Sequence, residues 1–338
     1  MTRRVIAAYD GSLEAAAAIA GLAARLGADC VTVTLDIGQQ LDFEQVREQA
    51  LAAGAVRAHV VDARAALAGH VVRPALLAGA FARDPLSVAV SRPLIASHLV
   101  SIARLEGASD VAHGARGRDR ARLERLIADL APELRVHALD VERGPAAVRV
   151  DEHLWGRTVT MPAATDAAGP AHAGPRLFTR THAPGACVGE AAVVEIALAA
   201  GLPVAVNGVP LDIGELIEVV DTIAGDHGIG RLDSVLGAVR TVVESPASVV
   251  LSAAVAALAS AALAPDALAL RSISGEAYRA LLDEGGWHSP ARADLDACVT
   301  STAGELTGAV RLLLQGGQCQ VVGHQLGQPA PCALGAGV

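Results

Sequence analysis

The sequence predicts an α/β fold, in which a parallel-sheet domain is followed by a mixed α+β domain. In the first third of the chain, β-branched strands alternate with helices, a pattern typical of a parallel sheet covered on both faces. Hydrophobic residues make up 52% of the 338 residues and charged residues 19%, which indicates a folded chain with a large core. A tract rich in Ala, Gly, Pro and Thr, residues 161–175, reads as a linker or loop. We therefore expect domains at 1–150 and 151–338.

Short apolar or β-branched runs predict the strands of the first domain, and Ala-rich or amphipathic runs predict its helices. The predicted strands are 4–9, 30–35, 56–61, 110–113 and 134–138. The predicted helices are 13–26, 43–53, 63–72, 94–106 and 122–130. Beyond the linker we expect helices at 191–198, 213–224 and 246–263, a strand at 203–207, a Gly-rich loop at 225–231, and a hairpin of 311–314 with 318–322.

The composition excludes several classes of protein. All 27 basic residues are Arg, so no phosphate-binding Walker lysine, Schiff-base lysine or pyridoxal-phosphate anchor exists. A net charge of −9 argues against a nucleic-acid partner. The five Cys are scattered without a CxxC pair, which fits reduced thiols and a cytoplasmic location. The uncharged stretch 245–265 is mostly Ala and Ser, so we interpret it as a buried helix and expect no membrane partner.

Two loops at the predicted carboxyl edge of the sheet are candidate anion sites. Tyr9-Asp10-Gly11-Ser12 ends a strand and opens a helix, where free backbone N–H groups attract anions, although a purely structural turn explains the glycine equally well. The segment 113–122 carries four Arg and two Gly, which suits phosphate or carboxylate; a solvated basic helix start is the alternative. His113 fits a structural role better than a chemical one. No cluster has metal-ligand spacing, so any metal would be Mg²⁺ carried by a nucleotide.

Several segments, in this order and spacing, resemble the argininosuccinate synthase family over most of the chain. They include Ala8 to Leu13, Asp36-Ile37-Gly38-Gln39, Ser91 to Ala96 and Val111 to Ala115. Asp151 to Arg157, Ala224 to Asp233 and Trp287-His288-Ser289-Pro290 continue the series. The resemblance implies an N-type ATP pyrophosphatase domain, of the adenine nucleotide alpha hydrolase-like fold, and an ATP-dependent ligase reaction. In that reaction an acceptor oxygen is adenylated and the amine of aspartate displaces AMP.

The resemblance also assigns site residues. It implies ATP with Mg²⁺, or AMP alone, at Ala8, Tyr9, Asp10, Gly11, Ser12, Leu35, His113, Gly114 and Arg116. The implied catalytic residues are Asp119 and Arg92. The substrate positions are Asp84, Ala89, Asp119, Arg122, Arg149, Thr158, Leu236 and Val243.

Many of these positions depart from the family pattern. The family's Ser-Gly-Gly-Leu-Asp-Thr-Ser loop is Asp10-Gly11-Ser12-Leu13-Glu14-Ala15-Ala16 here. A family Glu and Tyr that contact citrulline align with Leu236 and Val243. Because lost polar partners weaken recognition strongly, we expect an acceptor other than citrulline.

Two further hypotheses stay open: a non-catalytic nucleotide-binding homologue that acts through a partner, and an authentic argininosuccinate synthase of arginine biosynthesis. The two nucleotide loops also look like those of universal stress proteins, although the second domain does not. A small amino-acid-like substrate and a homo-oligomer, dimer or tetramer, are expected. The long C-terminal arm that stabilises the family's tetramer is missing from the pattern.

Overall fold

A computed structural model describes residues 3–83, 88–139, 148–163, 177–186 and 191–327. The strands are β1 Arg4–Ala8, β2 Asp29–Asp36, β3 Arg57–Asp62, β4 Asp110–His113, β5 Arg135–Ala138, β6 Arg149–His153, β7 Gly156–Pro162, β8 Ala192–Ala199, β9 Leu202–Val206, β10 Val209–Pro210, β11 Arg231–Leu236, β12 Val239–Glu244, β13 Gly308–Gln315 and β14 Gln318–Leu326. The helices are α1 Leu13–Leu26, α2 Phe43–Ala52, α3 Arg64–Leu67, α4 Arg73–Ala78, α5 Arg92–Glu106, α6 Gly117–Leu130, α7 Ile213–Asp226, α8 Pro246–Ala262, α9 Pro265–Glu284 and α10 Ala291–Ala303. A π-helical turn, Ala68–Val72, joins α3 to α4.

The chain divides into two units, each assembled from separate segments. Unit 1 comprises 1–67, 88–147 and 280–292, and unit 2 comprises 68–87, 148–279 and 293–338.

Unit 1 contains the parallel sheet that the alternating pattern predicted. Its order is β3-β2-β1-β4-β5, with every adjacent pair parallel. The central strands are buried: Val5, Ile6 and Ala7 have no exposed surface. Such continuous apolar runs are what a sheet covered on both faces requires. Because all five strands are parallel, the loops that follow β1, β2 and β4 meet at one edge.

The helix ends of unit 1 follow from capping residues in the sequence. The Ser12 side chain accepts a hydrogen bond from the Ala15 amide at the start of α1, and Asp42 does the same for α2. Gly27 and Gly107, in the left-handed conformation, end α1 and α5. The α6 helix begins at Gly117, five residues before the predicted start at 122.

Unit 2 is built on two antiparallel sheets, ordered β10-β9-β8-β13-β14 and β11-β12-β7-β6. The predicted helix at 191–198 is wrong, because this segment is β8, the central strand of the first sheet. Its alanines favour a helix, but pairing with β9 and β13 on both sides overrides that local preference. Sequence patterns did not predict the other elements of unit 2, namely α4, β6, β7, β10, β11, β12, α9 and α10.

The other predictions for the second half are largely confirmed. Strand β9, helix α7, helix α8 and the β13–β14 hairpin lie where the pattern placed them. The predicted linker starts too early, because Met161 and Pro162 belong to β7 and pair with β12; its residues 164–175 fall outside the described residues. In α8 a mostly Ala, Val and Leu face is buried, in line with the interpretation of 245–265 as a buried helix. No helix among the described residues has both the length and the apolarity needed to cross a bilayer.

Candidate functional site

The turn between β1 and α1 has the geometry of a close-approach loop. Gly11 has a φ of +80°, and a Cβ placed on it would lie 2.9 Å from a methyl group of Val46. A side chain at this position would therefore be both strained and crowded. The glycine that the sequence analysis could explain in two ways is required here by backbone conformation and packing, whatever the loop binds.

The side chain of Asp10 folds back onto this turn. Its Oδ1 accepts hydrogen bonds from the Ser12 amide at 3.0 Å and from the Ser12 hydroxyl at 2.6 Å. Ser12 Oγ in turn accepts from the amide of Ala15 at 3.2 Å. The positive N-terminal end of α1 is where an anion would bind. The Asp10 carboxylate already accepts hydrogen bonds from two donors there, the amide and the hydroxyl of Ser12.

Two buried polar side chains at the same edge lack hydrogen-bond partners within the described part of the chain. They are Tyr9, through its hydroxyl, and His113, through both ring nitrogens. Tyr9 follows β1 and His113 ends β4, and these strands are neighbours in the sheet. Burial raises the pKa of Tyr9, and burial lowers the pKa of His113, which keeps its ring neutral near pH 7. Orphaned buried groups of this kind call for a polar ligand or water, so this edge fits a nucleotide.

The remaining predicted nucleotide residues also lie at the carboxyl edge of the sheet. Ala8 ends β1, and Leu35, which is buried, is the penultimate residue of β2. Gly114 follows β4 directly, and Arg116 stands exposed at the N-cap position of α6. An exposed guanidinium beside a helix N-terminus favours phosphate binding.

A charged cluster joins the start of α5 to the first turn of α6. Arg92 Nε donates to both carboxylate oxygens of Asp119, at 2.9 and 3.0 Å. Arg122 Nη1 donates to Asp119 Oδ1 at 2.9 Å. The three side chains are only 14%, 26% and 9% exposed. The structure thus brings Arg92, 27 residues earlier in the chain, to Asp119 and Arg122, which are three residues apart on α6. These are the two predicted catalytic residues and one predicted substrate residue.

Four predicted substrate residues of unit 2 share one face of a sheet. Thr158 pairs directly with Val243, and Leu236 pairs with Val239. Arg149 is paired with Thr160, two residues beyond Thr158. Since directly paired residues face the same side and every second residue returns to it, the four lie on one face. Thr158 is buried, whereas Leu236 is 86% exposed beside the β11–β12 turn.

The two remaining substrate predictions are less informative. Ala89 is buried in a 3₁₀ turn, Val88–Ser91, just before α5. Asp84 lies outside the described residues. The described residues contain no group of three or more His, Cys, Asp or Glu side chains that could hold a metal ion.

A carboxylate network in unit 2 escaped the sequence analysis. Glu244 has no exposed surface and accepts hydrogen bonds from the amides of Thr179, Arg180 and Thr181 at 2.9–3.0 Å. Arg157 also donates to Glu244, at 3.2 Å. The only signal in the sequence is a single Glu at the end of a β-branched run, which by itself predicts an exposed residue.

Asp221 on α7 lies close to this network. Its carboxylate is 3.7 Å from the Arg180 guanidinium and accepts a hydrogen bond from the amide of Ala247 at 3.2 Å. Burial raises the pKa of Asp221 to about 6, and Arg180 opposes that rise only in part. Asp221 is therefore a group that titrates in mildly acidic solution.

Comparison with known proteins identifies the family. Residues 4–162 match the arginosuccinate synthase N-terminal HUP domain, and residues 148–328 match the arginosuccinate synthase C-terminal domain. An argininosuccinate synthase from Dehalococcoides mccartyi is 34% identical over 355 residues, covering 96% of this chain and 87% of the relative. One from Rubrobacter xylanophilus is 34% identical over 363 residues, covering 98% and 87%. With its parallel HUP sheet and antiparallel C-terminal sheets, the chain belongs to the argininosuccinate synthase family.

Proposed function

We propose that this chain is an AMP-forming ligase that joins the amino group of aspartate, or of a similar donor, to an amino-acid-like acceptor activated by ATP. The observation that carries the proposal is the cluster of Arg92, Asp119 and Arg122. It places one carboxylate and two guanidinium groups at the starts of two helices of the nucleotide-binding fold. Membership of a ligase family supports the same reaction class.

On the nucleotide side, Gly11, Ser12, Gly114 and Arg116 are the residues expected to hold the phosphates. ATP, bound with Mg²⁺, supplies the adenylyl group that makes an acceptor oxygen a good leaving group, with pyrophosphate released first and AMP second. Because the chain has no Lys, arginine is the side chain that can add positive charge at the phosphates beside Mg²⁺ and the helix N-termini. Binding of AMP alone stays an alternative, since Asp10 takes two donors of the first loop.

On the donor side, the charged cluster matches an amino acid with an additional carboxylate. The Asp119 carboxylate accepts hydrogen bonds from N–H donors and can receive an ammonium or amine group. The guanidinium groups of Arg92 and Arg122 can pair with carboxylates of the donor. Catalysis by such a site consists of holding the amine in line with the activated carbon and stabilising charge, so it needs no covalent residue.

For the acceptor, the argininosuccinate synthase reaction with citrulline is the first candidate. Relatives of that name match 96% and 98% of the chain at 34% identity, which favours an unchanged reaction. A different acceptor is the second candidate. The apolar side chains of Leu236 and Val243 favour it, because they occupy the positions where the family resemblance implies a Glu and a Tyr.

The test is pyrophosphate and AMP release by the purified protein with Mg·ATP, L-aspartate and L-citrulline, followed by a panel of related ureido and carboxylate acceptors. Release that depends on both amino acids, with formation of argininosuccinate, supports the first candidate. Release that requires another acceptor supports the second. AMP binding in calorimetry without release for any acceptor contradicts the ligase proposal and supports the non-catalytic homologue.

An Asp119→Asn variant shows whether the cluster carries the reaction, and Asp233→Asn is its matched control. Asp233 also pairs with an arginine through both carboxylate oxygens, at 2.9 and 2.6 Å from Arg240, but lies in the β11–β12 hairpin. We expect at least a hundredfold loss of activity for Asp119→Asn, about 3 kcal/mol of transition-state stabilisation, and less than a twofold loss for the control. Light scattering of the same samples tests the expected dimer or tetramer.

A further inference from the structure

The chain returns to unit 1 at its residues 280–292 and packs there against both helices of the charged cluster. We call residues 283–288 the return segment. Its first contact is with α6, where Arg122 Nε donates to the carbonyl oxygen of Asp283 at 2.9 Å. Arg125 Nη1 donates to the next carbonyl, that of Glu284, at 3.3 Å. The guanidinium of Arg122 therefore bonds to Asp119 through one nitrogen and to the return segment through another.

Gly285 makes this approach possible. Its φ is +75°, and a Cβ built on it would lie 2.4 Å from the carbonyl oxygen of Arg122. Real Cβ atoms do not come so close to a backbone oxygen, so a side chain would push the segment away from α6. The adjoining Trp287 is only 2% exposed and anchors the segment in unit 1.

The second contact is with α5. His288 Nε2 lies 3.2 Å from the carbonyl oxygen of Pro93 and 3.2 Å from Ser97 Oγ. Ser97 Oγ itself donates to the Pro93 carbonyl at 2.9 Å. Burial lowers the pKa of His288, so the ring is neutral near pH 7 and its Nε2–H can donate to the Pro93 carbonyl. Pro93 directly follows Arg92, so this contact fixes the backbone beside the arginine of the cluster.

We propose that the return segment is a positioning element for the donor site, with His288 and Gly285 as its positioning residues. It links the first turn of α5, which carries Arg92, to the second and third turns of α6. There it holds Arg122, which in turn donates to Asp119 in the first turn of α6. The distance between the Arg92 guanidinium and the Asp119 carboxylate then depends on a segment that lies about 165 residues after Asp119 in the sequence. This inference rests on the proposed function, because it assigns the cluster to binding the amine donor.

The experiment compares His288→Leu with His288→Gln, since the glutamine amide can donate to the Pro93 carbonyl and leucine cannot. His324, exposed on β14, supplies the matched control His324→Leu. With L-aspartate as the varied substrate, we expect His288→Leu to raise KM about tenfold while kcat changes less than twofold. His288→Gln should restore KM to within about twofold of the starting protein, and His324→Leu should not change it.

A parallel fall in kcat with KM unchanged, or equal losses for Leu and Gln at position 288, would overturn the proposal. Gly285→Ala perturbs the return segment at its contact with α6, away from Pro93. This variant should also raise the KM for L-aspartate.

A measurement that needs no enzymatic turnover can test the positioning role even if the proposed ligase function fails. The side-chain Nε–H resonances of Arg92 and Arg122, observed by ¹⁵N NMR, report their hydrogen bonds to Asp119 and Asp283. If the wild-type protein releases no pyrophosphate but His288→Leu shifts the Arg92 resonance and His288→Gln returns it, the positioning role stands while the ligase role fails. An Arg92 resonance unchanged in His288→Leu contradicts the positioning role, whatever the activity.

Discussion

Replacing Asp10 by Asn tests whether the chain's own carboxylate competes with a bound polyphosphate. Asn keeps an acceptor oxygen for the Ser12 amide, which the Asp10 carboxylate now engages at 3.0 Å, and removes the negative charge. A phosphate oxygen bound at this turn would lie within about 4 Å of that charge. At that distance the repulsion is about 1 kcal/mol in water and about 4 kcal/mol at an effective dielectric constant of 20.

Because Asp10 is exposed, the repulsion in water, about 1 kcal/mol, applies to a phosphate charge at this distance. We expect Asp10→Asn to tighten Mg·ATP binding by about 1 kcal/mol, which corresponds to roughly fivefold in Kd. Isothermal titration calorimetry at low salt measures this directly, and AMP, which lacks the β and γ phosphates, should change less. Asp212→Asn is the matched control, since Asp212 is also an exposed carboxylate at the start of a helix, accepting from the Glu215 amide at 2.9 Å in α7. If Asp10→Asn binds Mg·ATP no more tightly than the wild type, the carboxylate does not compete for the phosphate position.

Three further predictions concern stability and are measured by urea unfolding. Glu244→Gln should lower the free energy of unfolding by about 3–5 kcal/mol. It removes a fully buried carboxylate that accepts hydrogen bonds from the amides of residues 179–181. An unchanged midpoint of the urea unfolding transition would contradict this prediction. Burial raises the pKa of Asp221 to about 6, so the folded state keeps this proton to a higher pH than the unfolded chain does. Stability should therefore fall by at most about 3 kcal/mol as pH rises from about 4 to about 6, and Asp221→Asn should remove that fall; a variant with the same pH dependence as the wild type would exclude Asp221 as its source. Gly225→Ala should destabilise strongly, because its Cβ would lie 2.1 Å from a backbone carbonyl oxygen, whereas Gly21→Ala, with nothing within 4 Å, should stabilise by about 0.5–1 kcal/mol.

The parallel sheet was predictable because its signals are local. The strands of unit 1 are short apolar or β-branched runs, and helices α1 and α2 begin after the capping residues Ser12 and Asp42. The nucleotide loops followed from the same information, since parallel strands bring their carboxyl ends to one edge. The error at β8 has the converse cause: its Ala-rich sequence favours a helix locally, and only pairing with β9 and β13 makes it a strand.

The candidate site was predictable only in part. Resemblance to the family selected Arg92, Asp119 and Arg122. The three-residue spacing of Asp119 and Arg122 favours their ion pair on a helix, but nothing in the sequence shows that Arg92 joins them. The sequence shows that a carboxylate, Asp10, replaces the first Ser of the family's loop, but its two hydrogen bonds to Ser12 are visible only in the folded turn. His288 stood out only as part of the family-like segment Trp287-His288-Ser289-Pro290, and its contact with the Pro93 carbonyl joins residues 195 apart in sequence.

The sequence by itself determined the alternation of strands and helices, the glycine at the first loop and the exclusive use of arginine as the cation. These features depend on backbone preference, hydrophobic periodicity and composition, all of which act over a few residues. The tertiary structure decided which charges meet: Arg92 with Asp119, Glu244 with the amides of 179–181, and the return segment with α5 and α6. Hydrogen bonds and ion pairs act over about 3 Å, so they exist only after distant parts of the chain have folded together.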